Sequence, residues 1–254
     1  MSDFVKKIFI KTIGHLWHSL SMQKKTRLIL AFHEIDSNGN KYAVSQKRFE
    51  SIIKKLMKEY VFVSLETLLS SQTKKNLATI TFDDGYESVL KIVPFLNAHK
   101  IPATIFVLTN SERIDRKELD ANSNFLKESE IKKLLANGWT LGSHGETHAD
   151  FSALATESLE QEIRDSKYKL EKMYGVKVKY FAYPKGVVDA NIAALVKRNG
   201  YDAGFSTYPS PVAKGTSRFA LPRFVMEKTD IFGPLPYAFV TPVQKLRNFK
   251  KYED

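Results

Sequence analysis

The chain contains no cysteine among its 254 residues, which excludes a disulfide framework and any thiolate metal centre. A transition metal here must be held by nitrogen and oxygen ligands. No apolar run approaches the roughly 20 residues needed to cross a bilayer as a helix. No internal repeat or low-complexity block is visible. Helix-turn-helix, zinc-finger and aromatic RNA-binding strand patterns are absent as well. The formal net charge of +11 therefore does not mark a nucleic-acid binder, and no nucleic-acid partner is expected. It favours other anions, such as phospholipid headgroups and acidic glycans.

With 43% apolar residues, the chain can bury a sizeable core and be one domain. From Arg27 onward, short apolar runs alternate with amphipathic stretches, as in β/α units. Strands are predicted at Arg27–Phe32, Val61–Val63, Leu77–Phe82, Ala103–Leu108, Trp139–Gly142, Val176–Tyr183, Ala203–Ser206 and Phe219–Met226. Helices are predicted at Phe49–Glu59, Leu65–Ser70 and Tyr86–Ala98, the last kinked by Pro94. Further helices follow at Glu130–Ala136 behind a Ser129 cap, at a long stretch capped by Thr156 and stopped by Gly175, and at Asp189–Asn199. The expected class is α/β, a distorted (β/α) barrel of about seven or eight strands. Residues 25–230 would form it, between an N-terminal segment 1–24 and a basic tail 231–254.

Segment 1–24 carries Phe4, Val5, Ile8, Phe9, Ile13, Leu16, Trp17 and Leu20 as one helical stripe, with Lys6, Lys7 and Lys11 facing away. The lysines interrupt the apolar residues, so no continuous signal-peptide core forms. One reading is a basic amphipathic helix lying in an anionic membrane interface. The other is a helix packed on the domain or plugging a barrel end.

Thr81-Phe82-Asp83-Asp84-Gly85 sets two carboxylates where a buried strand breaks into a loop. Adjacent like charges are costly unless a cation or a reaction uses them. Sixty residues later, His144 and His148 offer imidazoles four positions apart, able to reach one cation from a helical turn. Asp84, His144 and His148 together make a site for a divalent ion, Zn²⁺ first, with Co²⁺, Ni²⁺, Mn²⁺ and Fe²⁺ compatible. Asp83, beside a ligand yet spare, can act as a general base. An Asp-Asp-Gly by itself is often only a turn, and a lone pair of spaced histidines is usually incidental. Here His33, Asp83, Asp84, His144 and Tyr183-Pro184 each fall at the C-terminal end of a predicted strand, and a parallel barrel gathers those ends at one mouth.

Amide hydrolysis also needs a general acid for the leaving amine. The histidines are His15, His18, His33, His99, His144 and His148. Two are assigned to metal, His15 and His18 belong to the N-terminal segment, and His99 ends a helix. His33, terminating a strand, is the best candidate.

These residues resemble a known family, the polysaccharide deacetylases of the NodB-homology type (carbohydrate esterase family 4). Thr81–Gly85 is similar to its first motif and His144–His148 to its second, with Gly145 in place of a hydroxyl residue. Lys100–Val107, Asn137-Gly138-Trp139 and Phe181–Gly186 also look like the family, and the likeness runs from about Arg27 to Met226. It implies a distorted barrel that removes acetyl groups from N-acetylated sugars, usually with Zn²⁺. It further implies Asp83 as base, Asp84, His144 and His148 as ligands, and the Tyr183 main-chain amide as oxyanion donor. The chain departs from the pattern where an arginine two places before the third motif's proline becomes Ala182. No histidine follows His148 to close the fifth motif; Leu221-Pro222-Arg223 stands there. The fourth motif is not found. A rearranged branch places a histidine at the end of an N-terminal strand, and Leu28–Glu34 resembles that strand. On this likeness His33 is the general acid and Arg223 the partner of Asp83.

The function expected is metal-dependent removal of an N-acetyl group from an acetylamino sugar of a glycan or lipid-linked precursor. The alternatives are a non-haem metal oxygenase, which uses a similar ligand set, and an inactive glycan- or membrane-binding domain. Expected partners are an N-acetylated glycan and an anionic membrane surface. The expected location is the cytoplasm, peripheral on the inner face of the membrane. In liposome flotation, the full chain is expected to rise with anionic vesicles and a variant lacking residues 1–24 to stay behind. Equal recovery of the two would remove the membrane reading.

Overall fold

Alternation of side chains along the strands decides what enters the barrel and what meets the helices. The computed structural model describes residues 26–37, 41–110 and 123–228. The amphipathic segment 1–24 and the basic tail 231–254 lie outside the described residues. Among these, one parallel sheet contains β1 (Arg27–Phe32), β2 (Val61–Phe62), β3 (Leu77–Phe82), β4 (Ala103–Val107), β5 (Thr140–Ser143), β6 (Tyr180–Ala182), β7 (Ala203–Phe205) and β8 (Phe224–Val225). The order is β7-β6-β5-β4-β3-β1-β8, with β2 added to β3. A bridge between Phe205 and Leu221 links β7 to the segment that feeds β8. The result is a distorted (β/α) barrel.

On β1 the side chains of Leu28, Leu30 and Phe32 face the helices, as do Ala78, Ile80 and Phe82 on β3, all in one large cluster. The intervening Ile29 and Leu77 join Phe106, Tyr180, Ala182, Phe205 and Leu221 in a second, inner cluster. Thr79 and Thr81 share the inward parity of Leu77 and are buried. Asp83 is the next residue in that parity. The register of β1 on β3 runs from Arg27 opposite Leu77 to Phe32 opposite Phe82, which brings His33 beside Asp83 at the strand ends.

The helices are α1 (Gln46–Leu56), α2 (Leu65–Ser70), α3 (Val93–Ala98), α4 (Glu128–Ala136), α5 (Thr156–Tyr174) and α6 (Ala190–Arg198). Ser45 caps α1 by accepting from the Arg48 amide, and Asp189 caps α6 by accepting from Ile192. Phe49, Ile53 and Leu56 of α1 are fully buried, each contributing roughly 1.5–3 kcal/mol. Gly175 ends α5 in the left-handed region, φ 65, which costs a glycine nothing sterically.

Several sequence expectations shift. The stretch predicted as one kinked helix is a 3₁₀ turn at Glu87–Ile92 followed by α3. Pro94 lacks an N–H and is tolerated only in a first turn, so the helix restarts around it. Helix α4 begins at Glu128, before Ser129, with the Glu130 carboxylate accepting from the Lys127 amide. Thr156 is the first residue of α5, not its cap. The strand expected from Val176 is confined to Tyr180–Ala182; Val178 is instead held by side chains of α5, Glu171 on its N–H and Lys167 on its carbonyl. The expected last strand is divided, because the chain leaves β7 at Leu221 and joins β1 at Phe224.

Gly142 lies on β5 just before the mouth. A Cβ there would sit 2.4 Å from two ring atoms of Phe106 and 3.2 Å from the Tyr180 carbonyl. Gly142→Ala is expected to lower stability by about 1–3 kcal/mol through overpacking. A shift of the urea midpoint with an unchanged m-value would show it.

Candidate active site

The first strand to break at the mouth is β3. Its left-handed residues Asp84 (φ 67) and Gly85 (φ 77) turn the chain abruptly, so the adjacent carboxylates take different partners. Asp83 is 1% exposed and meets Arg223, itself 0% exposed. Arg223 Nη1 donates to Asp83 Oδ1 at 2.7 Å and Nη2 to Oδ2 at 2.7 Å, a bidentate pair. The guanidinium is further fixed by Nε donating to the Ser206 carbonyl (3.1 Å) and Nη1 to Thr81 Oγ1 (3.2 Å). Burial pushes the Asp83 carboxyl up. The charges of Arg223, His144 and His33 with the Arg223 hydrogen bonds outweigh it, and the pKa ends below the ordinary carboxylate value.

Asp84 faces the two imidazoles. His144 Nε2 lies 3.4 Å and His148 Nε2 3.6 Å from the same oxygen, Asp84 Oδ1. These contacts are long for hydrogen bonds, and Oδ1 is buried with no hydrogen-bond partner. Ligand atoms held at 2.0–2.2 Å in a tetrahedral shell lie about 3.4 Å apart. One potential ligand atom from each of Asp84, His144 and His148 falls within 4.8 Å of the others. An orphaned oxygen facing two imidazole nitrogens at that spacing fits a divalent cation.

His144 is oriented from behind by Nδ1 donating to the Ala182 carbonyl at 2.8 Å, which leaves Nε2 facing Asp84 Oδ1. Burial lowers its pKa, yet the close carboxylates of Asp84 and Asp83 and the Ala182 carbonyl leave it raised overall. His148 is pushed down to about 4, by burial first and then by His144 and His33 against the pull of the carboxylates. It is neutral at pH 7, the form a ligand needs.

His33 stacks on Tyr42, centroids 4.8 Å apart at 24°, and its Nδ1 is buried with no hydrogen-bond partner. Its charge acts on Asp83, Asp84 and His148. The structure thus brings His33, Asp83, Asp84, His144, His148 and Arg223 to one mouth.

Two expectations need correction. The Tyr183 amide donates to the Phe205 carbonyl at 3.0 Å in the β6–β7 pairing, and the Tyr183 hydroxyl donates to the Phe219 carbonyl at 2.7 Å. Its N–H is committed to the sheet and does not point at a developing oxyanion. The segment His144–His148 is also not a helical turn. It is an irregular bend with Gly145 at φ 84 and His148 at φ 59. The amides of Thr109 and Asn110 hold it from one side by donating to the Gly145 and Glu146 carbonyls, and Glu162 on α5, which sequence reasoning missed, holds it from the other. Glu162 Oε2 accepts from the amides of Glu146 (2.7 Å) and Thr147 (3.1 Å), and Oε1 from the Thr147 hydroxyl (2.6 Å). The available signal was an acid inside the buried stripe Leu159, Glu162, Ile163, Ser166, Leu170.

Comparison with known proteins points the same way. The family profile described as polysaccharide deacetylase matches residues 70–204. YxkH of Bacillus subtilis, whose name places it among polysaccharide deacetylases, is 27% identical over 212 residues, 80% of this chain and 73% of its own length. The poly-β-1,6-N-acetyl-D-glucosamine N-deacetylase of Staphylococcus aureus is 27% identical over 202 residues, 73% of this chain and 68% of its own. Among solved structures, IcaB from Ammonifex degensii shares the fold with a TM-score of 0.71 at 22% identity, covering 80% of this chain and 93% of that one. The polysaccharide deacetylase BC0361 from Bacillus cereus gives 0.66 at 26% identity, over 81% of this chain and 66% of that one. The profile match alone takes in more than half of the sequence, and the chain belongs to the polysaccharide deacetylase family.

Proposed function

We propose that the protein is a metal-dependent N-deacetylase that hydrolyses the acetamido group of an N-acetylated sugar in a glycan. The observation that carries this reading is the division of labour between neighbouring carboxylates: Asp84 joins His144 and His148, while Asp83 is gripped by Arg223. A divalent cation bound by Asp84, His144 and His148, with Zn²⁺ the first candidate, supplies Lewis acidity and a water acidic enough to attack at neutral pH.

The chain's own residues account for the rest of the reaction. Asp83 takes the proton from the attacking water, aimed by two parallel hydrogen bonds from Arg223. A carboxylate held this low is fully ionised at neutral pH but weakly basic, so its usefulness lies in placement. His33 stands beside Asp83 in the β1–β3 register and hands a proton to the departing amine. Proton acceptor and donor thus come from adjacent strand ends.

The S. aureus relative's name makes poly-N-acetylglucosamine the first substrate to offer. The stripe in residues 1–24 supports trying lipid-linked acetylamino sugars too, presented at the cytoplasmic face of a membrane. Free acetate is expected from at least one of these, lost on dialysis against a chelator and restored by Zn²⁺. Acetate release that a chelator leaves untouched would overturn the reading. His33→Ala is expected to keep the metal and lose roughly 10²–10⁴-fold in turnover; full turnover would remove His33 as the acid.

A double-mutant cycle tests the ion pair. Arg223→Met strands a buried carboxylate and is expected to cost roughly 3–5 kcal/mol. On an Asp83→Asn background the same change is expected to cost less, because the charge it would strand is gone. Additive losses in urea unfolding would contradict the pairing. Asp83→Asn alone should bind metal and turn over roughly 10²–10⁴-fold more slowly.

A further inference from the structure

Metal-binding histidines are normally aimed by a hydrogen bond on the nitrogen that does not face the ion. His144 has one, to the Ala182 carbonyl at 2.8 Å. His148 does not: its Nδ1 is buried without a hydrogen-bond partner. His148 also holds φ 59, a region that a non-glycine residue seldom occupies. Something other than its own ring must keep it in place.

We propose that Glu162 is the positioning residue for His148, presetting the metal site by gripping the backbone just before it. This rests on the deacetylase reading above. Both carboxylate oxygens of Glu162 close on Glu146 and Thr147, taking two main-chain N–H groups and one hydroxyl at 2.6–3.1 Å. Thr147, which contributes two of these three bonds, is the residue covalently attached to His148. Glu162 is 9% exposed and lies on helix α5. The loop is thus tied to a rigid element whose other contacts lie in the helix–sheet core. One turn further on, Ser166 meets Ser143 Oγ at 2.8 Å, and Ser143 Oγ accepts from the Gly145 amide at 3.2 Å. Gly145 completes the fit. At φ 84 a Cβ there would lie 3.1 Å from Glu162 Oε2, so the glycine at this point of the motif admits the carboxylate.

Glutamine can reproduce this clamp. Its oxygen can accept both amides, and its NH₂ can donate to the Thr147 hydroxyl. Leucine cannot. The test measures the Zn²⁺ or Co²⁺ dissociation constant by competition with a chromophoric chelator. It is made at a temperature where circular dichroism shows each metal-free variant folded. Glu162→Leu is expected to weaken metal binding roughly 10–100-fold and to change the visible absorption spectrum of bound Co²⁺. Glu162→Gln should stay within about threefold of wild type, and Thr147→Val, which removes one of three bonds, should fall between. A lower melting temperature for Glu162→Leu with an unchanged dissociation constant would make Glu162 a structural buttress only and overturn the proposal. So would equal damage from Gln and Leu, which would assign the effect to charge. If Glu162→Leu does not fold, a wild-type constant for Thr147→Val overturns it instead. Failure of the wild-type protein to bind metal would sink the deacetylase reading itself, an outcome distinct from wild-type binding with indifferent variants.

Discussion

The buried ion pair between Arg223 and Asp83 is the contact on which the mouth of this barrel depends. Neither side chain is more than 2% exposed. Removing two charges from water costs several kcal/mol per ion, recovered only when geometry is good and the remaining donors and acceptors are used. Here the fork is bidentate, and the guanidinium also satisfies Ser206 and Thr81. The pair ties β3 to the segment entering β8 across β1, the strand that lies between them. It therefore fixes Asp83 and, through Ser206 at the end of β7, draws β7, β8 and β3 together with one set of bonds.

A second charge problem follows directly. Asp84 is covalently next to Asp83, 3% exposed, and cannot share Arg223, whose fork is filled. The left-handed turn at Asp84 sends it to the histidines, and its orphaned Oδ1 is left facing their Nε2 atoms. The same crowding of carboxylates raises the His144 pKa. A divalent cation among Asp84, His144 and His148 would relieve that crowding. The cluster of Asp84, His144 and His148 is thus the consequence of placing two carboxylates at a strand end with one arginine to serve them.

Much of this was legible in the residues. Runs of alternating or continuous apolar side chains located β1, β3 and α2 to the residue, because buried strands and helices advertise themselves by period. Asp83, Asp84, His144 and His148 were found because carboxylates and imidazoles at strand ends are chemically conspicuous. Three things were not legible. The Tyr183 amide looked available because main-chain hydrogen bonding depends on strand partners, and the register of β6 on β7 is not written locally. The spacing of His144 and His148 suggested a helical turn, since four residues fit one; the actual bend is held on one side by Glu162, fourteen residues beyond His148. Glu162 was passed over because an acid in a long charged helix reads as solvated, and only its phase within the apolar stripe says otherwise.

The departures from the family pattern then take on a physical meaning. An arginine is expected two places before the proline of the Phe181–Gly186 segment, and Ala182 occupies that place. Ala182 belongs to the inner cluster with Phe106, the ring over which the Arg223 guanidinium lies at 5.5 Å. A guanidinium at either position would seek the same carboxylate through the same inner space. Two there would set two cations against one Asp83, and one would remain buried without a counter-charge, a cost of the same order as breaking the pair. The small residue at 182 and the arginine at 223 are therefore compatible within one inner space. The cation here stands at the entrance of β8, where it gives Asp83 a bidentate grip. That grip reaches Asp83 across β1 alone, from a guanidinium buried as completely as the carboxylate it holds.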